Sequence, residues 1–161
     1  MKPINFDARG KRVLVCGAGS IGRRHIENLL QLGAEVSVWR ARSELLTDIT
    51  RDFPVKTFTD LSDAIARVEG VVVATATDQH VAIATEALKA GRALFIEKPI
   101  SHDWVGIADL RRLANGKIIE VGFQLRAHPN LIALELQLRK SAHEGLLTYR
   151  LAMGHRLDAW R

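Results

Sequence analysis

The chain has little of several things, and each shortage excludes something. One cysteine, Cys16, stands among 161 residues, so there is no intramolecular disulfide and no cysteine spacing of a metal site. No apolar run approaches the ~20 residues that a membrane-spanning helix needs. The opening stretch MKPINFDARGKR lacks the apolar core of a secretory signal. The expected compartment is therefore the cytoplasm, with no membrane partner. Long basic blocks and basic stretches interleaved with aromatics are also missing. The net charge of +5 comes from 23 basic and 18 acidic residues scattered along the chain. A solvated surface with an anionic cofactor accounts for that excess, and no nucleic-acid partner is expected. Hydrophobic and charged fractions of 47% and 25% are those of a globular protein. Internal repeats and low-complexity segments are absent as well.

What is present is organised around Val13 to His25, VLVCGAGSIGRRH. A short apolar run ends in Gly17, Gly19 and Gly22, and a helical pattern follows. Gly17 permits a tight turn. Gly19 lets the backbone approach a pyrophosphate, and Gly22 lets the helix pack closely on the strand. The first-turn N–H groups, at Ser20 and Ile21, then face the phosphates with the helix dipole behind them. The alternative is an incidental glycine-rich turn, but the strand before and the strand after the helix favour a dinucleotide site. Cys16, at the end of the first strand, reads as a small buried hydrophobe rather than a nucleophile.

The pattern predicts strands over Lys11–Cys16, Ala34–Trp39, Val55–Phe58, Gly70–Ala74, Ala93–Ile96 and Lys117–Val121. Helices are expected over Ile21–Leu32, with Ile21, Ile26, Leu29, Leu30 and Leu32 as its apolar face, and over Leu61–Val68. Ser43 should cap a helix over Glu44–Thr50, and Asp78 one over Gln79–Lys89. Ser101 or His102 should open another that runs to about Ala114. Six alternations of strand and helix predict an α/β Rossmann fold, a doubly wound parallel sheet of order 3-2-1-4-5-6 with its site at the carboxyl ends of the strands. The expected division is a dinucleotide-binding domain over 1–122 and a C-terminal extension over 123–161. That extension reads as a loop, a helix over Leu131–Ala142 and an amphipathic strand over Leu146–Met153.

The end of the second strand should read the ribose. An acidic residue there selects NAD through the 2′-hydroxyl. Here Arg40, Ala41, Arg42 and Ser43 follow instead. A guanidinium pairs with a 2′-phosphate, so NADP is favoured and NAD is the alternative. The plainer alternative is that these arginines are only solvated. After the fourth strand, Thr75, Ala76 and Thr77 suit contact with ribose and nicotinamide. His80 either joins them or is a first-turn helix residue. Glu97-Lys98-Pro99 ends the fifth strand at the same edge. Lys98 there would bind a substrate hydroxyl and relay its proton; on spacing alone it is a surface cation.

The glycine motif, Glu97-Lys98-Pro99 and the stretch Val121 to Asn130 (VGFQLRAHPN) together resemble the N-terminal part of the glucose–fructose oxidoreductase / inositol dehydrogenase family, Gfo/Idh/MocA. The resemblance implies an NAD(P)-dependent oxidoreductase acting on sugars, polyols or related hydroxy or keto compounds, with Lys98 catalytic and Arg126 near the substrate. It places Glu97 and Lys98 beside the cofactor with Thr75 to His80, where Ala76 and Asp78 depart from the family's Pro and Asn. It also implies a large second domain with further catalytic Asp and His residues, and an open sheet that often forms the oligomer interface. Leu146–Met153 resembles the first strand of that sheet, whose edge would pair chains into a homo-oligomer. The expectation is a chain that carries the cofactor-binding part of such an enzyme without a complete active site. The alternative is a non-catalytic dinucleotide-binding or scaffold protein of the same descent. A nucleotide-sugar or S-adenosylmethionine binder is disfavoured by the Glu-Lys-Pro segment.

Overall fold

The computed structural model describes residues 8–140. The chain divides into two units, Met1–Phe123 and Gln124–Arg161. The first unit is built on six parallel strands: β1 Arg12–Cys16, β2 Glu35–Trp39, β3 Lys56–Phe58, β4 Gly70–Val73, β5 Ala93–Ile96 and β6 Ile119–Val121. Their order in the sheet is β3-β2-β1-β4-β5-β6, as the alternation of apolar runs and helical patterns predicts. Between them run α1 Ser20–Gln31, α2 Thr47–Asp52, α3 Leu61–Ala66, α4 His80–Lys89 and α5 Ile107–Ala114.

Strand residues alternate between the two faces, and each face has its own core. Leu14, Cys16, Val71, Val73, Leu94 and Ile96 join Ala64, Ile65, Ile83, Leu88 and Leu110 from α3, α4 and α5. Val15, Val36, Val38 and Val72 join Ile26 and Ile49 from α1 and α2, with Phe95 packed against them. Both faces are covered, which explains why the central strands are apolar without interruption. Each fully buried Val, Leu or Ile contributes about 1.5–3 kcal/mol.

Three helix starts in this unit differ from those the sequence predicts, whereas α3 begins at Leu61 as expected. Ser43 does not cap a helix; it begins a 3-10 turn, Ser43–Leu45, and α2 follows without a side-chain cap. Asp78 likewise lies within a 3-10 turn, Thr77–Gln79, and α4 starts at His80. Ser101 and His102 open no helix. Asp103 N–H donates to Ser101 Oγ and Val105 N–H to Asp103 Oδ1, which closes a side-chain turn. The helix waits for Gly106, whose φ of +75° is left-handed and whose missing Cβ would lie 2.8 Å from Val81 Cγ1. Asp60 does cap its helix, α3, accepting from Asp63 N–H at 2.7 Å. On α1, Ile26 is buried and Leu29 and Leu30 half-buried, but Ile21 and Leu32 face solvent. The apolar stripe is narrower than expected.

Of the second unit, a 3-10 turn Gln124–Ala127 and α6 Pro129–Lys140 are described. The helix begins before Leu131, because Pro129 suits a first helical turn. The expected strand Leu146–Met153, and with it the pairing of chains, lies outside the described residues. No described helix is long and apolar enough to cross a membrane.

Candidate functional site

The register of the sheet sets the site. Trp39, Cys16, Val73, Ile96 and Val121 end their strands side by side. The next residue of each strand extends the ladder by one hydrogen bond. Gly17 N–H donates to Trp39 O at 3.1 Å, and Ala74 N–H to Cys16 O at 2.8 Å. Glu97 N–H donates to Val73 O at 2.9 Å, and Gly122 N–H to Ile96 O at 2.8 Å. Arg40, Gly17, Ala74, Glu97 and Gly122 therefore form a rim along the carboxyl edge, where open α/β sheets take their ligands.

The three motif glycines serve different needs. Gly17 has φ +93°, and a Cβ there would lie 2.6 Å from Ala74 O; only glycine fits between the ends of β1 and β4. At Gly22 a Cβ would collide with the Gly17 carbonyl oxygen. The closeness it permits is to the turn itself rather than to the body of the strand. At Gly19 nothing lies within 4 Å, and φ −70°, ψ −169° is extended backbone that any residue adopts. The protein itself has no need of a glycine at this position. Behind it, α1 has neither a side-chain cap nor an acidic residue in its first turn. Its positive end faces open space, which suits an anion.

Around this turn the remaining residues fall as follows. Arg40 is half-buried, its N–H bonded to Phe58 O at 3.2 Å, while Arg42 and Ser43 are exposed. The first carboxylate after β2 is Glu44, in the 3-10 turn. Thr75 and Thr77 are half-buried and Ala76 is exposed. Thr75 Oγ1 is shielded from solvent and finds no hydrogen-bond partner among the described residues. An orphaned hydroxyl at a strand end is costly, and a bound ribose or nicotinamide amide would supply its partner. An open cradle at Gly19, an uncapped helix and this hydroxyl fit a dinucleotide.

His80 does not project into that space. It is buried, with Nδ1 3.0 Å from Pro99 O and Nε2 3.1 Å from Thr75 O. Carbonyl oxygens only accept, so a neutral ring donates to one of them and an imidazolium to both. Both nitrogens face backbone carbonyls, and the ring stands behind the site rather than in it. Glu97 accepts from His25 Nε2–H at 2.8 Å through Oε1, and from Lys98 N–H at 3.2 Å through Oε2. Lys98 itself is exposed. His25 lies in the glycine-motif stretch, yet sequence reasoning gave it no role; its partner is 72 positions away, and no local pattern signals such a contact. Arg126 is exposed in the 3-10 turn of the second unit.

Cys16 has no part in the chemistry. Burial, and then the charge of Glu86, push its thiol far up, away from the reactive thiolate. Among the described residues no group of three or more His, Cys, Asp or Glu is placed to hold a metal ion.

Comparison with known proteins follows the same edge. The model of an oxidoreductase family with an NAD-binding Rossmann fold, GFO_IDH_MocA, matches residues 11–123. An inositol 2-dehydrogenase of Rhizobium meliloti is 31% identical over 136 residues, covering 80% of this chain and 39% of the relative. The 4-carboxy-2-hydroxymuconate-6-semialdehyde dehydrogenase of a Sphingobium species is 29% identical over 126 residues, 74% of this chain and 40% of that one. Among solved structures, the WlbA dehydrogenase of Bordetella pertussis, in complex with NADH and UDP-GlcNAcA, superposes with a TM-score of 0.74 at 26% identity. The match covers 82% of this chain and 42% of that protein. The chain thus spans about 40% of the length of the curated relatives it matches.

Proposed function

This chain belongs to the Gfo/Idh/MocA oxidoreductase family, and on that premise we propose that it binds a nicotinamide dinucleotide along the rim and serves hydride transfer to or from a sugar, polyol or related hydroxy or keto compound. The observation that carries the reading is the space over Gly19. The fold does not require a glycine there, whereas a pyrophosphate on the N–H groups of Ser20 and Ile21 does. Thr75, Ala76 and Thr77 would line the ribose and nicotinamide side, with Glu97 and Lys98 on the neighbouring strand end.

The dinucleotide, when bound, accepts or gives the hydride. The chain's own contribution is Lys98. Its exposed amine would hold the substrate oxygen, and in its neutral form would take the hydroxyl proton as the carbinol is oxidised. In the reverse direction it returns that proton to the carbonyl oxygen.

The cofactor reading goes one step further, to NADP. Arg40 and Arg42 follow β2 where an NAD site would place a carboxylate, and Ser43 adds a hydroxyl. A guanidinium pairs bidentately with a 2′-phosphate. Titration calorimetry with NADPH and NADH tests both levels. Tighter binding of NADPH is expected, and Arg40→Ala should weaken NADPH about tenfold while leaving NADH within about twofold. Equal affinity for the two removes the argument from Arg40. No binding of either removes the dinucleotide reading. The cytoplasm, where such cofactors are abundant, is the compartment this function suits.

A further inference from the structure

Glu97-Lys98-Pro99 is gripped from both ends by histidines of distant elements. At one end the His25 ring, on α1, donates to Glu97 Oε1 at 2.8 Å. It stands edge-on to Phe95 with ring centroids 5.2 Å apart, which fixes its plane. The second carboxylate oxygen, Oε2, accepts the N–H of Lys98 at 3.2 Å. Gly122 leaves room for this arrangement, since a Cβ there would lie 3.0 Å from Oε2. At the other end, His80 reaches the carbonyl of Pro99 at 3.0 Å and that of Thr75 at 3.1 Å. The hydrogen-bonded tie therefore runs from α1 through Glu97 to the backbone of Lys98, while the His80 ring, donating to one of its two carbonyls, lies between Pro99 and the segment that follows β4.

Packing alone does not call for these groups. The His25 and Glu97 side chains are only 23% and 18% exposed. A shielded polar pair of this kind is often no more stabilising than apolar residues of the same volume. What the polar pair adds is direction. A carboxylate that accepts from His25 on one oxygen and from Lys98 N–H on the other can sit in one orientation only.

We propose that His25 is a positioning residue. Through Glu97 it ties the helix that begins at the glycine turn to the backbone of Lys98, with His80 holding the far side of the same tripeptide. Any group seated on the α1 N-terminus is thereby held in one frame with the backbone from which the Lys98 side chain extends. What the two ends do rests on the function proposed above; the tie between them is a property of the chain alone.

The test uses the 15N-labelled full chain and follows two signals, amide hydrogen exchange of Lys98 and amide shifts on adding NADPH. In His25→Ala, Lys98 N–H should exchange at least about tenfold faster while the amides of Ala93–Ile96 change less than about twofold. NADPH should still shift Gly19 and Ile21, but its effect on Lys98 should fall by at least about threefold. His25→Gln places an N–H donor where imidazole Nε2 stands and should restore both signals. A purely structural histidine would not be rescued in this selective way. Unchanged exchange at Lys98 in His25→Ala overturns the proposal, as does failure of the glutamine to restore it. If His25→Ala does not fold, a second variant at Glu97 decides. Glu97→Ala removes both acceptor oxygens, so it should release Lys98 N–H, and a Lys98 amide still protected there refutes the tie. Absence of any NADPH-induced shift in the unaltered protein counts against the dinucleotide reading alone, because the exchange comparison needs no ligand.

Discussion

Replacing Gly19 by alanine separates what the fold needs from what a ligand needs. At φ −70°, ψ −169° an alanine is unstrained, and its methyl meets no atom within 4 Å. Two small effects on stability oppose each other. Loss of glycine's freedom in the unfolded chain stabilises by about 0.4–1 kcal/mol. Alanine is a poorer helix N-cap than glycine, by several tenths to about 1 kcal/mol. The net change should lie within about 0.5 kcal/mol. A pyrophosphate on the α1 N-terminus would meet the new methyl directly and be pushed off one or two charge-assisted hydrogen bonds. Each is worth about 1.5–3 kcal/mol, and about 1.4 kcal/mol is a factor of ten. NADPH and NADH affinity should fall by at least about tenfold. Urea unfolding measures the first quantity and titration calorimetry the second. A variant that keeps its stability and binds within about twofold of the parent would show that no phosphate passes over Gly19. A variant that lost several kcal/mol of stability would show that the space is not open.

Gly17→Ala should behave oppositely. The left-handed φ and the collision with Ala74 O should cost at least about 2 kcal/mol in urea unfolding, whatever ligand is present. Asp52 is held below the ordinary carboxylate range by hydrogen bonds from Arg23 and then Arg51. A depressed carboxylate adds stability that is complete above its unfolded pKa of about 4 and is lost as pH falls through its lower folded value. The gap in thermal midpoint between the parent and Asp52→Asn should therefore be constant at neutral pH and close in acid. A gap that persists at pH 2 would assign the effect to something other than the charge. Cys16, buried with a raised pKa, should react with a thiol reagent only through opening of the chain. Its labelling rate should rise in step with denaturant, and rapid labelling of the native protein would contradict its burial.

The sheet was readable because its central strands are apolar runs closed by a glycine or a change of polarity, and because parallel strands alternate with helices in chain order. The glycine turn was readable for the same local reason. The helix starts expected at Ser43, Asp78 and Ser101 were not, although α3 begins at Leu61 as predicted. Ser43 and Asp78 are good capping residues by type, but in the fold each is absorbed into a 3-10 turn. At Ser101 the delay depends on Gly106 lying against Val81, a contact with α4 that nothing nearby in the sequence announces. His80 was recognised as belonging to the region, but not its direction. Whether it faces a ligand or the backbone depends on where the carbonyls of Thr75 and Pro99 lie, and those come from two different strands. Roles carried by local backbone geometry were legible; roles carried by contacts between distant segments were not.

The rim has a consequence for how the chain reaches its native state. Gly17, Ala74, Glu97 and Gly122 are joined by one ladder, and each bond in it links segments far apart in sequence. Contacts of this kind form late, after the loops between them have closed. A partly folded chain with β1 and α1 in place would hold the glycine turn but not the surface across which a dinucleotide extends. Such a ligand could not template folding from its start. It would act once β4 and β5 have docked beside β1, and then stabilise the whole sheet by mass action. Added nucleotide should accordingly slow unfolding while leaving the initial rate of refolding unchanged.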